Sequence, residues 1–300
     1  MLIALFFVFG LVIGSFLNVC ISRIPEGISI VSPGSRCPYC TTPIKPQDNI
    51  PVLSWLLLRG KCRSCSAPIS PMYPTVELLT AFLFVACILT FGLSAESFKW
   101  LFFISLIIVL TITDFRIRIL PDAVNWFGFG LGLAFAIRVA PIDAICMRLT
   151  DHFPLFFQRP SVAGVSCALV GALAGSTLLL SAATLYKLAR GREGMGMGDI
   201  KMMLLVGSFL GIQGAFFTLF LGTLLGSLIG FLLVLSLFVS GWKSRAAARA
   251  NRRGLGSIIS LRWAICSRYQ LPLGTFLGIA ALVVVFLGNW IDSLAYRFLR

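Results

Sequence analysis

The chain has 300 residues, of which 58% are hydrophobic and 12% are charged, and its formal net charge is +14. Soluble domains are about half apolar and about a quarter charged, so this composition excludes an ordinary soluble protein and predicts a polytopic membrane protein. The basic excess favours contact with anionic membrane lipid. Because no basic groove interleaved with aromatic residues occurs, we expect no nucleic-acid partner.

Eight apolar stretches approach the length needed to cross a hydrocarbon core, about 20 residues. They predict an all-α polytopic membrane protein with about eight transmembrane helices. The stretch at 200–213 is the shortest. The first stretch has no basic residue before Arg23 and no small-residue cleavage site, so we expect a retained helix and not a signal peptide. The eight stretches are 1–19, 75–93, 98–113, 123–140, 162–186, 200–213, 215–240 and 273–292.

The distribution of Lys and Arg predicts the orientation, because these residues accumulate on the cytoplasmic side. With the N-terminus outside, the inner segments contain 19 of the 25 basic residues. We therefore expect a first transmembrane helix at 1–19, a cytoplasmic insert at 20–74 and a membrane domain at 75–300. That domain includes a basic cytoplasmic loop at 241–272, in which 242–268 is expected to lie along the membrane surface.

The insert contains two C-x2-C pairs separated by 21 residues. Each pair can form a knuckle that supplies two of four tetrahedral zinc ligands. Thiols stay reduced in the cytoplasm, which favours zinc over two disulfide bridges. A site with four sulfur ligands has no open position for water, so the zinc is expected to be structural. The four ligands are Cys37, Cys40, Cys62 and Cys65.

The remaining cysteines are scattered singly and are predicted to be buried, unpaired apolar residues. They are Cys20, Cys87, Cys146, Cys167 and Cys266. The sole histidine, His152, lies in the predicted outer loop 141–161. A Ser-His-Asp triad, a Cys-His pair or a histidine-based zinc protease at the inner face is therefore excluded, and carboxylate chemistry remains.

Two aspartates are predicted to lie at the same depth in the membrane. Asp114 follows the inner end of the third span, and Asp199 lies where the chain re-enters from the same face. Two close carboxylates share one proton, so one can activate water as a base while the other donates a proton. Gly196 and Gly198 leave room for a peptide substrate beside Asp199.

Each acid also has a structural interpretation. Asp199 could be the N-cap of a helix that starts at Ile200, where the helix dipole would favour its ionised form and suit it to be the base. Asp114 could pair with Arg116 or Arg118. Asp122 could cap the fourth helix, and it competes with Asp114 for the catalytic role.

Several segments resemble the prepilin peptidases, which are bacterial inner-membrane aspartic proteases sharing a Gly-x-Gly-Asp signature with presenilin-type proteases. The match runs through residues 14–25 (GSFLNVCISRIP), 43–61 (PIKPQDNIPVLSWLLLRGK) and 68–80 (PISPMYPTVELLT). It continues through Asp114 with the Leu-Pro-Asp sequence at 120–122, and through 196–199. The resemblance implies that Asp114 and Asp199 form the catalytic dyad. Two segments depart from the family's pattern: 242–271 is longer and more basic than the family's loop, and the predicted outer loop 141–161 is irregular.

The resemblance also implies the reaction. The substrate would be a type IV prepilin or a type II secretion pseudopilin, cut after the glycine that ends its basic cytoplasmic leader. Many members then transfer a methyl group from S-adenosylmethionine to the new N-terminus. No Rossmann-type Gly-rich motif identifies the donor site, and Glu77 and Gly60, beside the insert, are weak suggestions.

Acids near the inner face are hypothesised to receive the basic leader; they are Glu26, Asp48, Glu77, Asp122 and Glu193. Two other classes of function remain as alternatives. A transporter would place acids near the bilayer midplane. A zinc-ribbon membrane scaffold without chemistry would leave the Gly-rich approach to Asp199 unexplained.

Overall fold

The computed structural model describes residues 1–141, 146, 159–192, 194–248 and 272–298, with side chains omitted for 237–248 and 289–298. Within these ranges the chain is helical, as predicted, and has only isolated β-bridges. His152, Glu193 and Cys266 lie outside the described residues. The elements are α1 Leu2–Arg23, a 3-10 turn Pro46–Asn49, α2 Leu53–Leu57, α3 Met72–Phe91, α4 Ala95–Ile117, α5 Asp122–Ala136, α6 Pro160–Arg190, α7 Met197–Ala248 and α8 Leu273–Phe298.

Among the described residues, five helices are long and apolar enough to cross a membrane, which makes the chain a multi-pass membrane protein. They are Leu2–Arg23, Met72–Phe91, Ala95–Ile117, Pro160–Arg190 and Met197–Ser236. The predicted count of eight is not confirmed by this criterion. One reason is that α5 has only 15 residues. Another is that Leu273–Gly288 is a shorter apolar helix, and a third is that α7 covers two of the predicted spans.

Helix α7 reverses direction at Gly211, whose φ of 74° and ψ of −171° are not helical. A Cβ placed on Gly175 of α6 would lie 3.6 Å from the Met203 carbonyl oxygen and 3.3 Å from the Ala215 Cβ. In a straight helix, these two residues would be about 18 Å apart along the axis. Met203 and Ala215 therefore approach the same point of α6 only because the chain folds back between them. The reversal lies close to the break predicted between the spans 200–213 and 215–240.

Helix α4 is the central element, and it packs against α1, α3, α5 and α8. Its Ser94 forms a capping box with Ser97, which fixes the start of the helix. Its end is fixed by Arg118, which adopts a left-handed conformation with φ 56° and donates its N–H to the Asp114 carbonyl at 2.9 Å. Asp114 therefore lies in the last turn of a buried helix.

Small residues allow α6 and α7 to approach closely. A Cβ on Gly171 would lie 2.6 Å from the Gly207 carbonyl oxygen and 2.4 Å from the Gly211 carbonyl carbon. Such close backbone contact is typical of membrane helix pairs, which associate through packing and not through the hydrophobic effect. This contact holds the first leg of α7, which we define as the part from Met197 to Gly211, against the rest of the bundle. Asp199 lies on this leg.

Cys146 and Cys167 form a disulfide with a Cα–Cα distance of 5.7 Å, so the prediction that both are unpaired apolar residues is wrong. Bridging depends on whether two Cα atoms come within about 4.4–6.8 Å, which sequence spacing does not reveal. Cys20 and Cys87 are buried and free, as predicted. Residues 241–248, predicted as part of the basic loop, instead continue α7, and 249–271 lie outside the described residues.

Candidate active site

The four cysteines of the insert converge, and their sulfur atoms all lie within 4.8 Å of one another. The Sγ atoms of Cys37 and Cys65 are 3.8 Å apart. A tetrahedral metal with metal–sulfur bonds of about 2.3 Å requires sulfur atoms separated by about 3.8 Å. The donor set therefore fits a four-thiolate metal site, as the spacing predicts.

The two cysteine pairs form equivalent knuckles. In the first, the Cys37 N–H donates to Thr42 and its carbonyl accepts from the Thr41 N–H. In the second, Cys62 makes the same two bonds with Ala67 and Ser66. Thr41 and Ser66 both have positive φ, 57° and 59°, which turns the chain tightly enough for each pair to supply two ligands.

Local hydrogen bonds favour the thiolate form in two of the four cysteines, whereas the Ala67 backbone hydrogen bond at Cys65 is outweighed by burial and the neighbouring thiols, which raise the pKa of Cys65. The Thr42 side chain and backbone lower the pKa of Cys40 to about 6. The backbone N–H groups of Cys65 and Ser64 lower the pKa of Cys62. A thiolate is the ligand form of cysteine, so these bonds prepare the cluster for a cation.

The aspartates predicted as a pair line one cavity of about 290 Å³. Asp114 and Asp199 are only 6% and 8% exposed. Gly196 and Gly198 line the same cavity, so the structure brings together all four residues predicted for this site. The cavity lies where the last turn of α4 meets the first turn of α7.

Asp114 is oriented by the beginning of α8. Its Oδ2 accepts hydrogen bonds from the Thr275 backbone N–H at 2.6 Å and from the Thr275 hydroxyl at 2.9 Å. Thr275 is the third residue of α8, where backbone N–H groups have no partner within the helix. A Cβ on Gly274 would lie 3.0 Å from the Asp114 Cγ, so the absence of a side chain there lets α8 approach the carboxylate.

Asp199 is the third residue of α7 and not its N-cap, because the helix begins at Met197. Its backbone N–H donates to the Gly196 carbonyl at 3.3 Å. A Cβ on Gly196 would lie 3.6 Å from the Asp199 Oδ2, so this glycine borders the carboxylate. A Cβ on Gly198 would lie 2.9 Å from the Leu120 Cβ, which gives Gly198 a packing role besides the predicted one.

Asp122, the competing candidate, forms an ion pair with Lys201 at 2.6 Å, and its side chain is 59% exposed. It joins the start of α5 to the first leg of α7. Asp122 also lines the cavity that Asp114 and Asp199 share, and this ion pair gives it a structural role there.

Three of the acids hypothesised to receive a basic leader have partners within the chain. Asp48 binds Arg63 at 2.6 Å, and Asp122 binds Lys201. The Glu77 Oε2 accepts the Val52 N–H at 2.7 Å, and Glu77 is 7% exposed. Glu193 lies outside the described residues. These contacts give little support to a leader-binding role for Asp48, Glu77 and Asp122, whereas Glu26 is exposed.

Thr275 and Gly274 were not predicted as site residues. The only local signal is a Gly-Thr pair at a helix start, and Asp114 lies 161 positions earlier in the chain. No sequence pattern connects positions so far apart.

The fold and the site define a multi-pass helical membrane protein with two buried aspartates on one cavity. Residues 8–91 match the Bacterial Peptidase A24 N-terminal domain, and residues 101–231 match the Type IV leader peptidase family. The chain belongs to the type IV leader peptidase family, a family of proteases.

Several curated relatives carry the name prepilin leader peptidase/N-methyltransferase. The one from Bacillus subtilis is 37% identical over 227 residues, covering 74% of this chain and 81% of the relative. The one from Klebsiella pneumoniae is 35% identical, covering 72% of this chain and 89% of the relative. The one from Aeromonas hydrophila is 36% identical, covering 74% and 77%. No solved structure matches this chain.

Proposed function

We propose that the chain cleaves the leader peptides of type IV prepilins or type II secretion pseudopilins, with Asp114 and Asp199 as an aspartic dyad. The observation that carries the proposal is that both acids, buried and on different helices, line one cavity. The names of the relatives supply the prepilin substrate, and the resemblance described above extends the proposal to pseudopilins. Both acids lie at helix ends and not midway along a span, which argues against the transporter alternative.

In this proposal the two carboxylates have different roles. The Oδ2 of Asp114 accepts from two donors, as an ionised carboxylate does best, so Asp114 is assigned as the base that removes a proton from water. Asp199 is assigned as the acid that protonates the scissile carbonyl. The assignment reverses the sequence-based expectation that Asp199 is the base.

The test is cleavage of a purified prepilin by the reconstituted protein. Asp114→Asn and Asp199→Asn should each lower kcat by about 10²–10⁴-fold, the usual contribution of general acid–base catalysis. Asp122→Asn, the matched control, should keep more than a tenth of the wild-type rate. Full activity of either dyad variant would remove that residue from the dyad.

The protein is further proposed to methylate the new N-terminus, as the relatives' double name suggests. S-adenosylmethionine would supply an electrophilic methyl group. The new terminal amine would attack that methyl carbon, the bond from that carbon to the sulfonium sulfur would break with S-adenosylhomocysteine as the leaving group, and the amine would lose a proton to solvent. Labelled donor and the mass of the mature pilin N-terminus test this step, independently of cleavage.

The protein is proposed to lie in the bacterial inner membrane and to cross it eight times. Its N-terminus would be outside, and the dyad and the insert would be at the cytoplasmic face. The reversal at Gly211 supports two crossings within α7. The disulfide at Cys167 lies near the start of α6, whereas the end of that helix leads to Asp199. Disulfides form in oxidising compartments and free thiols persist in reducing ones, so the Cys37 cluster and this disulfide fit opposite faces.

A further inference from the structure

The short helix α2, in the insert, has an exposed apolar side. Its Leu53, Leu56 and Leu57 are 57%, 57% and 79% exposed. Positions i, i+3 and i+4 lie on one side of a helix, so these three residues form a single surface, which we name the leucine face. A contiguous exposed apolar surface marks a place where a protein contacts another protein or lipid.

The opposite side of α2 is held within the insert. Trp55 donates its indole N–H to the Ile69 carbonyl at 3.1 Å, and a Cβ on Gly60 would lie 3.0 Å from the Trp55 ring. These contacts fix the rotation of α2 about its axis. The leucine face therefore points away from the insert and cannot turn inward without breaking them.

The pairing of α1 with α3 gives the depth of this region in the membrane. A Cβ on Gly14 would lie 2.6 Å from the Glu77 Cα, and the Asn18 Nδ2 donates to the Tyr73 carbonyl at 3.0 Å. The two helices are therefore antiparallel, with Glu77 at the level of Gly14. The predicted first span ends at residue 19, five residues further along α1, so Glu77 lies about 7 Å inside the end of that span.

A hydrogen bond ties the start of α2 to this depth. The Glu77 Oε2 accepts the N–H of Val52, the residue that precedes α2, at 2.7 Å. Phe16 of α1 and Leu79 of α3 lie just on either side of the Glu77 level, and they are 46% and 39% exposed. The leucine face therefore begins where the outer surface of the neighbouring transmembrane helices is also apolar.

Basic residues follow the leucine face directly. Arg59 and Lys61, within four positions of Leu57, are both exposed. Such side chains attract anionic lipid headgroups, and their aliphatic stems can lie along apolar surface. An apolar helical face beside basic residues is typical of a segment that lies in the membrane interface. With five residues, α2 is far too short to cross the membrane.

We propose that the leucine face of α2 is immersed in the bilayer beside α1 and α3, at the boundary between headgroups and acyl chains. Arg59 and Lys61 contact the headgroups. The insert is thus seated on lipid as well as joined to its two helices. The occupant of this face is lipid and not a second copy of the chain, because both the depth of α2 and its basic neighbours match a bilayer.

The test measures depth with a fluorophore. Leu57→Cys and Val31→Cys are each labelled with bimane in the full-length protein, purified with zinc and placed in nanodiscs of phosphatidylethanolamine and phosphatidylglycerol. Val31 is the matched control, because it also lies in the insert and is 85% exposed. Its neighbours Ser29 and Gly34 accept hydrogen bonds from Arg23, the last residue of α1, beyond the predicted span. The wild-type protein, labelled in parallel, gives the background from its own thiols.

A lipid with a nitroxide near the top of its acyl chain should quench the label at position 57 at least about threefold more than the label at position 31. Aqueous iodide should show the reverse preference, and Leu56→Cys should behave like Leu57→Cys. Equal quenching of both positions by iodide would mean that the leucine face meets water, and would overturn the proposal. A label at position 57 that neither agent quenches would mean that protein covers the face, and would also overturn it. Either result leaves the proposed leader cleavage standing, because the contact with lipid does not depend on it.

Discussion

At the scale of single residues, the Asp114 carboxylate is held by the start of a distant helix. Two donors of Thr275 converge on one oxygen, and Gly274 gives that helix room to approach. Hydrogen bonds to charged groups contribute about 1.5–3 kcal/mol each. Thr275 is therefore a positioning residue for the proposed dyad, and it acts on the reaction through Asp114.

Thr275→Val should lower kcat about tenfold or more, because it removes the hydroxyl donor and keeps the backbone donor and the side-chain shape. KM for prepilin should change little, since Thr275 is not proposed to touch substrate. Thr275→Ser should restore the rate. Steady-state kinetics measures kcat and KM for both variants. Equal losses of kcat in the valine and serine variants, with a lowered Tm in both, would show that Thr275 contributes only to packing.

Gly274→Ala should abolish cleavage, because the new Cβ would lie 2.9 Å from the Leu120 Cδ1 and 3.0 Å from the Asp114 Oδ2. The approach of α8 would have to change by several tenths of an ångström. Gly130→Ala is the control, since a Cβ there meets nothing within 4 Å. Cleavage assays on both variants, with Tm measured alongside, should show loss only in the first.

At the scale of elements, the insert is organised by its two knuckles. The described part of the insert has only a 3-10 turn, the five-residue helix α2 and isolated bridges, so its thiolate cluster is the natural organising centre. Binding energy at such clusters is also folding energy. Cys37 and Cys62 also line a cavity of about 490 Å³ between the insert and the adjoining ends of α1 and α3.

Cys37→Ser should reduce bound zinc from about one ion per chain, because it removes one of the four sulfur ligands. Leader cleavage should change less than the zinc content, because the cluster lies in the insert, whereas the proposed dyad lies on α4 and α7. Cys87→Ser is the control, because Cys87 lies far from the cluster in the chain and a serine keeps a donor to Ser97. Metal analysis of both purified variants is the measurement; a wild-type protein without metal would contradict the expectation.

At the scale of the whole molecule, the proposed orientation places the insert and the α3–α4 turn on opposite faces. Val31→Cys and Leu93→Cys test it, since these positions are 85% and 63% exposed. A membrane-impermeant maleimide should label Leu93→Cys in intact spheroplasts and Val31→Cys only after permeabilisation. The wild-type protein is labelled in parallel as the background, because Cys40, Cys62 and Cys65 of the insert are free and at least partly exposed, whereas Cys20 and Cys87 are buried. The reverse labelling pattern would invert the topology.

The helical class, the cysteine cluster and the shared location of the two aspartates were predictable, because each depends on composition or on spacing within a segment. The disulfide, the Thr275 contact and the end of α7 were not. Cys146 and Thr275 find partners through the packing of separate elements, and no local periodicity encodes such a distance. The break in α7 was predicted near its place because apolar length requires one, but its residue, Gly211, follows from backbone geometry.

The contact between Asp114 and α8 has a consequence for biosynthesis. The donors that hold Asp114 are translated 161 residues after it, on the last described helix of the chain. During translation, both aspartates therefore enter the membrane before Thr275, which orients Asp114, has been synthesised. If the two aspartates form the proposed dyad, proteolytic competence arises late in assembly, and a protein truncated before residue 273 would contain both aspartates but would not cleave its substrate.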